Sequence, residues 1–149
     1  MGDVMDPPPR AERALSDERV SVRAKLSACW VTVALLFGYV DILGFYKPGV
    51  VKDILAGKVS DFDITQAWAL AAFTIVTPPI VMVALSLTLP PALARWSNLV
   101  LAVLYIPVSA TNLIDGGWLF MYVGAAVEIA VLLAIIRIAW RWPGARPSA

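Results

Sequence analysis

The last apolar run of the chain, Gly117 to Arg137, constrains the fold more than any other stretch. From Trp118 to Ile136 every residue except Glu128 is apolar, aromatic or small. At 1.5 Å of rise per residue, a helix of that length reaches about 28 Å, close to the ~30 Å hydrocarbon thickness of a bilayer. Glu128 stands roughly 15 Å down an untilted helix and so near the midplane. A charge at that depth costs roughly 2.5–3.5 kcal/mol, and each Leu, Ile, Val or Phe offsets about 0.3–0.6 of it. The run holds ten residues of those four types, so it inserts despite its acid.

Three earlier runs repeat the pattern. The spans are expected over about 26–46, 65–89, 96–114 and 118–137, within a four-helix transmembrane domain of residues 26–142. Sixty per cent of the chain is hydrophobic and 15% charged, against roughly 45–50% and 25% in a soluble domain. The expected fold is therefore an all-α membrane protein, an antiparallel four-transmembrane-helix bundle. Its partner is first of all the lipid bilayer. A net charge of +1, with bases mixed among acids in short segments, argues against nucleic acid. The single cysteine, Cys29, excludes an intrachain disulfide, and the absence of histidine removes His-based triads and the usual zinc ligands. No cofactor and no metal are expected, and any proton chemistry falls to carboxylates, Tyr, Lys or water.

Between these runs the chain gives more local signals. Residues 1–25 form a polar segment, with a helical stub from Glu12 to Lys25 leading into the first span. Five acids before the apolar run, and no A-x-A-like site after it, argue against a secretory signal. Lys47-Pro48-Gly49 closes the first span. Over residues 50–63, Val50, Val51, Ile54, Leu55, Val59 and Phe62 recur at helical spacing, which predicts a short interfacial amphipathic helix. Asp63-Ile-Thr-Gln66 has the form of a capping box opening the second span. Pro78-Pro79 frees the carbonyls of Thr74 and Ile75, so a kink is expected there, with neighbours satisfying the freed groups. Pro90-Pro91 and Arg95 form a connection before the third span at Trp96. Asp115-Gly116-Gly117 is a turn, and residues 143–149 are a loose tail. Trp30, Trp96, Trp140 and Trp142 are expected in an inner interfacial belt, with Trp68 and Trp118 in an outer one. Nine Lys and Arg fall on the side of the termini and three between the first two spans. This count puts both termini in the cytoplasm and the protein in the cytoplasmic (inner) membrane.

Depth along the helices sorts the interior polar residues. Asp41 falls about 8 Å below the outer face, and Asn112 and Tyr122 about 6 Å, forming an outer layer. Glu128, Thr74, Thr77 and Tyr105 fall within about 4 Å of the midplane. For Glu128 two readings compete. As a neutral acid hydrogen-bonded to Tyr105 or a threonine, it fastens helices together. As a proton- or substrate-coupling group, it marks a transport path. Gly117, Met121, Gly124 and Glu128 form one stripe suited to close helix approach, and Gly38 with Asp41 repeats it on the first span.

Several local patterns are similar to an uncharacterised family of small bacterial four-helix membrane proteins. They are Tyr39-x-Asp41-x-x-Gly44 with Pro48-Gly49, Ile64-Thr65-Gln66, Arg95-Trp96-x-Asn98, and Tyr122 with Glu128. Together they cover roughly residues 26–142. The layout also resembles, more distantly, the DoxX-like four-span proteins. The first resemblance implies topology and carries no activity. The second implies redox accessory roles, for which the chain offers no cysteine pair or cofactor ligand.

Three functions follow. The first is a non-enzymatic accessory or structural membrane subunit, since no nucleophile–base pair, metal cluster or phosphate loop is legible. The second is a proton-linked transporter of a small solute using Glu128, built as a homodimer or within a larger membrane-protein assembly because four helices rarely enclose a path alone. The third is a membrane enzyme acting on a lipid or quinone, with Glu128 and Asp41 as acid and base.

Overall fold

The computed structural model of the chain describes residues 20–114 and 117–142. The stretch Glu12–Arg19, the turn at 115–116 and the tail at 143–149 lie outside the described residues. Helix α1 (Val22–Gly44) begins where it does because Ser21, in extended backbone, accepts a 3.2 Å hydrogen bond from the Ala24 amide. That N-cap corrects the expectation of one helix running from Glu12 into the first span. Past Lys47-Pro48, Gly49 turns the chain with φ +91°, a conformation that disfavours any side chain.

The segment after this turn departs from the expected amphipathic helix. Only α2 (Val50–Leu55) is helical, and a two-stranded hairpin follows, β1 (Lys58–Val59) with β2 (Phe62–Asp63). Lys58 pairs with Asp63 and Val59 with Phe62. Gly57 ends the helix with φ +78°, and its carbonyl accepts from Ile64 at 2.8 Å. A glycine in that conformation seven residues into the segment stops the helical period, which the spacing of apolar residues did not register. The capping box is corrected as well. Thr65 is the N-cap of α3 (Gln66–Thr88), its hydroxyl accepting from Trp68 at 3.1 Å, while Asp63 belongs to the hairpin.

Helix α4 (Pro91–Ile114) starts a turn and a half earlier than expected. Proline is pre-organised for the first position of a helix and lacks only an amide that has no partner there. Arg95 and Trp96 are therefore helical. Helix α5 (Leu119–Trp140) follows Trp118 at its N-cap.

Helix α1 packs on both α3 and α5, α4 packs on α5, and α3 and α4 touch more lightly. The buried seam of α1 is Leu26, Trp30, Val33, Phe37 and Val40, and that of α5 is Ala125, Glu128, Leu132, Ile135 and Ala139. Both alternate steps of three and four, the spacing of helices that cross at a shallow angle with interlocked side chains. Helix α3 gives the core only Pro79, Met82 and Ser86. At one end of the molecule arginines cap helix C-termini. Arg23 Nη1 donates to the Leu87 carbonyl at 2.6 Å and Arg95 Nη2 to the Trp140 carbonyl at 3.2 Å. Last-turn carbonyls have no donor within their helix, so a cation there supplies both a hydrogen bond and a favourable charge.

Trp30 is fully buried against Tyr105, edge to face at 6.3 Å between centroids. It belongs to the core and not to the expected interfacial belt, because it lies on the three–four seam of α1. The outward faces are coated with large apolar side chains, Leu35, Phe73, Leu104 and Leu133 among them. All four long helices are long and apolar enough to cross a membrane.

Helices α1 and α5 pack tightly at Gly124. A Cβ at Gly124 would stand 2.6 Å from Val40 Cγ2, whereas one at Gly38 would meet nothing within 4 Å. Gly117 lies outside α5 at φ +97°, so only Gly124 of the expected stripe makes the close approach. Gly124→Ala is expected to cost about 1–3 kcal/mol through overpacking, with Val40→Ala restoring most of it. Unfolding of the two single variants and the double variant in detergent checks this. Strictly additive losses would refute the contact.

Candidate functional site

The candidate site is built where α1, α4 and α5 meet. Glu128 sits on the inward seam of α5 and is fully buried, with neither carboxyl oxygen hydrogen-bonded. From α4, Ser109 stands beside it, also fully buried, and is the one hydroxyl placed to hydrogen-bond it; neither group has any other partner among the described residues. The Val40–Gly124 contact, one turn before Glu128, brings the next residue of α1, Asp41, within electrostatic reach of the buried carboxyl. Asp41 itself is exposed. The arrangement is an interior acid, a hydroxyl beside it, and a second acid between it and the surface.

The other residues singled out in the sequence are otherwise engaged. Tyr105 directs its hydroxyl to the Ile75 carbonyl at 2.5 Å. This is one of the two carbonyls freed by the proline pair, so α4 closes the gap that Pro79 leaves in α3. Thr74 and Thr77 donate to the Leu70 and Phe73 carbonyls of their own helix at 2.8 and 2.7 Å. Tyr122 accepts a 3.3 Å bond from the Gly117 amide, and Asn112 is half-buried. Among the described residues, no hydrogen bond joins Asp41, Asn112 and Tyr122, and none joins Tyr105 or either threonine to Glu128.

A second polar cluster escaped the sequence reading. Trp30 Nε1 donates to Asn98 Oδ1 at 2.6 Å, Ser86 Oγ donates to the same oxygen at 3.2 Å, and Asn98 Nδ2 donates to the Ala94 carbonyl at 2.7 Å. All three side chains are fully buried. One turn before Trp30 on α1, Ser27 donates to the Val83 carbonyl of α3 at 2.9 Å. Asn98 stands four residues from Ala94 and from Ala102 on the α4 seam, and that spacing is the signal that could have found it. These groups are satisfied and tie α1, α3 and α4 together, which is a fastening device.

The two clusters differ in chemistry. A buried polar group with its partners made is stable as it stands. An isolated ionised carboxylate in the same surroundings is far more costly, so Glu128 is the polar group in the interior whose burial is not offset by a network of partners. Among the described residues no group of three or more His, Cys, Asp or Glu is placed to hold a metal ion, and Cys29 is a free, half-buried thiol. Comparisons with curated proteins and with solved structures find no match. A protein-family profile, DUF6326, described as a family of unknown function, matches residues 17–146. The chain belongs to that family.

Proposed function

We propose that the protein is a non-enzymatic integral membrane subunit, an antiparallel four-helix bundle of the cytoplasmic membrane with both termini inside, whose working group is the carboxyl of Glu128. The topology is supported by the ends of the molecule. Arg23, Arg95, Arg137 and Arg141 gather where α1 and α4 begin and α3 and α5 end, two of them capping carbonyls there. With Lys25 they make five Lys and Arg at that end among the described residues, against three, Lys47, Lys52 and Lys58, in the segment between α1 and α3. That charge asymmetry matches a cytoplasmic and an outer face.

One observation carries the functional reading, a fully buried Glu128 carboxyl whose sole candidate partner is the Ser109 hydroxyl. The hydroxyls of Thr74, Thr77 and Tyr105, which would have made it a fastener, are spent on backbone carbonyls, and Ser109 alone is left to it. This favours the proton-coupling role over the structural one, and proton-linked movement of a small solute through an oligomer is the process such a group serves. Infrared difference spectroscopy of the protein in liposomes tests it. Across an acid–base cycle the wild type is expected to show gain and loss of a protonated-carboxyl band that disappears in Glu128→Gln and survives in Asp41→Asn. A Glu128→Gln spectrum identical to wild type would overturn the assignment.

A further inference from the structure

An apolar groove of ≈ 360 Å³ runs along the outer side of α4 and α5, lined by Trp96, Val100, Val103 and Leu104 from the first and Ile136 and Trp140 from the second. Its two indoles are 60% and 66% exposed and stand at the arginine-rich end. From Trp96 to Leu104 is eight residues, about 12 Å of helix. Half of the ~30 Å hydrocarbon core is about 15 Å, so the groove has the length of one leaflet.

The mouth of this groove is cationic. Arg95 is held there by the single bond to the Trp140 carbonyl, its Nε has no partner, and Arg141 follows Trp140. The acids among the described residues are Asp41, Asp53, Asp61, Asp63 and Glu128. Four of them belong to the segment from α1 to β2, at the opposite end. Glu128 precedes Trp140 by twelve residues, about 18 Å. No described carboxylate therefore competes for these guanidinium groups, and a phosphate is the anion whose geometry suits them.

We infer that the α4–α5 groove seats one acyl chain of an anionic phospholipid of the cytoplasmic leaflet, with the lipid's phosphate held by Arg95 and Arg141. The tryptophans then flank the glycerol region, where amphipathic rings belong. This assignment rests on the membrane reading above and adds a resident lipid to it.

Native mass spectrometry of the full chain, released from detergent micelles after titration with phosphatidylglycerol or phosphatidylcholine, tests it. Phosphatidylglycerol is expected to be retained preferentially, with its apparent affinity falling about fivefold for each arginine changed to glutamine. Leu104→Trp, which fills the groove from the lipid side, is expected to remove retention while Arg95 and Arg141 remain. Arg141→Gln keeps the test decisive if Arg95→Gln fails to fold, because the Arg141 side chain makes no hydrogen bond among the described residues. Equal retention of the two lipids, unchanged retention in the arginine variants, or a dimer that excludes lipid from the groove would overturn the assignment. A chain that fractionates away from membranes would instead sink the membrane reading itself, so the two failures are distinguishable.

Discussion

Replacing Trp30 by alanine is expected to cost about 3–5 kcal/mol of stability, the range for emptying a large aromatic from a packed core. Trp30 is fully buried between Leu26 and Val33 on the α1 seam, against Tyr105, and its indole N–H is bonded to Asn98. Trp30→Phe separates the two contributions. It keeps most of the apolar volume and removes the donor, so about 1 kcal/mol should be lost. Trp96→Ala is the control. That indole is 60% exposed, and a surface truncation of this kind usually stays within about 0.5 kcal/mol. Unfolding of the three variants by a denaturing detergent, followed by circular dichroism, measures all of them. If Trp30→Ala and Trp96→Ala cost the same, Trp30 is an interfacial residue after all and the core has been assigned wrongly.

The two tryptophans show what the sequence could and could not disclose. Four long apolar helices were legible because insertion demands a continuous run of about 20 apolar residues, and nothing in the chain imitates one. The seams within those helices were not, because in a helix surrounded by lipid the outward face is as apolar as the inward one. Hydrophobicity then carries no period, and the buried stripe is marked instead by small and polar residues such as Ser86, Asn98, Ser109 and Gly124. Nearness to the inner end of its span assigns Trp30 to the interfacial belt; only its place on the α1 seam, facing Ser86 and Asn98, assigns it to the core.

The candidate site divides along the same line. Glu128 stood out at once, since it is the one acid of its run, but the company it keeps did not. Depth along a helix is blind to rotation about its axis, so Tyr105, Thr74 and Thr77 stand at the right height without being partners. Their hydroxyls answer a nearer demand. Pro79 strips the Ile75 carbonyl of its helical donor, and the first hydroxyl able to reach it, that of Tyr105, is captured. The freed carbonyl was itself visible in the sequence, so the capture follows from the proline pair once α4 is known to face α3. Ser109 was visible only as another polar residue in the third span, because nothing in the spacing says which hydroxyl stands beside the carboxyl of a different helix.

Glu128→Met is expected to make the protein more stable, by about 1–3 kcal/mol, while abolishing its proton response. The sign separates the two readings of this residue. If Glu128 fastened helices through hydrogen bonds, removing it would strand its partners and destabilise the bundle by a similar amount. Its oxygens and the Ser109 hydroxyl beside them have no partner but each other among the described residues, so at most one side-chain hydrogen bond is lost when the carboxyl goes. What disappears is the cost of holding a bare carboxyl away from water, and what arrives is an unbranched apolar side chain of similar length that fits irregular gaps. Glu128→Gln should show no such gain, since its amide brings two donors into the same unsatisfied pocket. Thermal unfolding of the wild type and both variants in one detergent, at a pH where the acid is neutral, gives the comparison. A methionine variant less stable than wild type would return Glu128 to the structural role and leave the membrane interior without a working group.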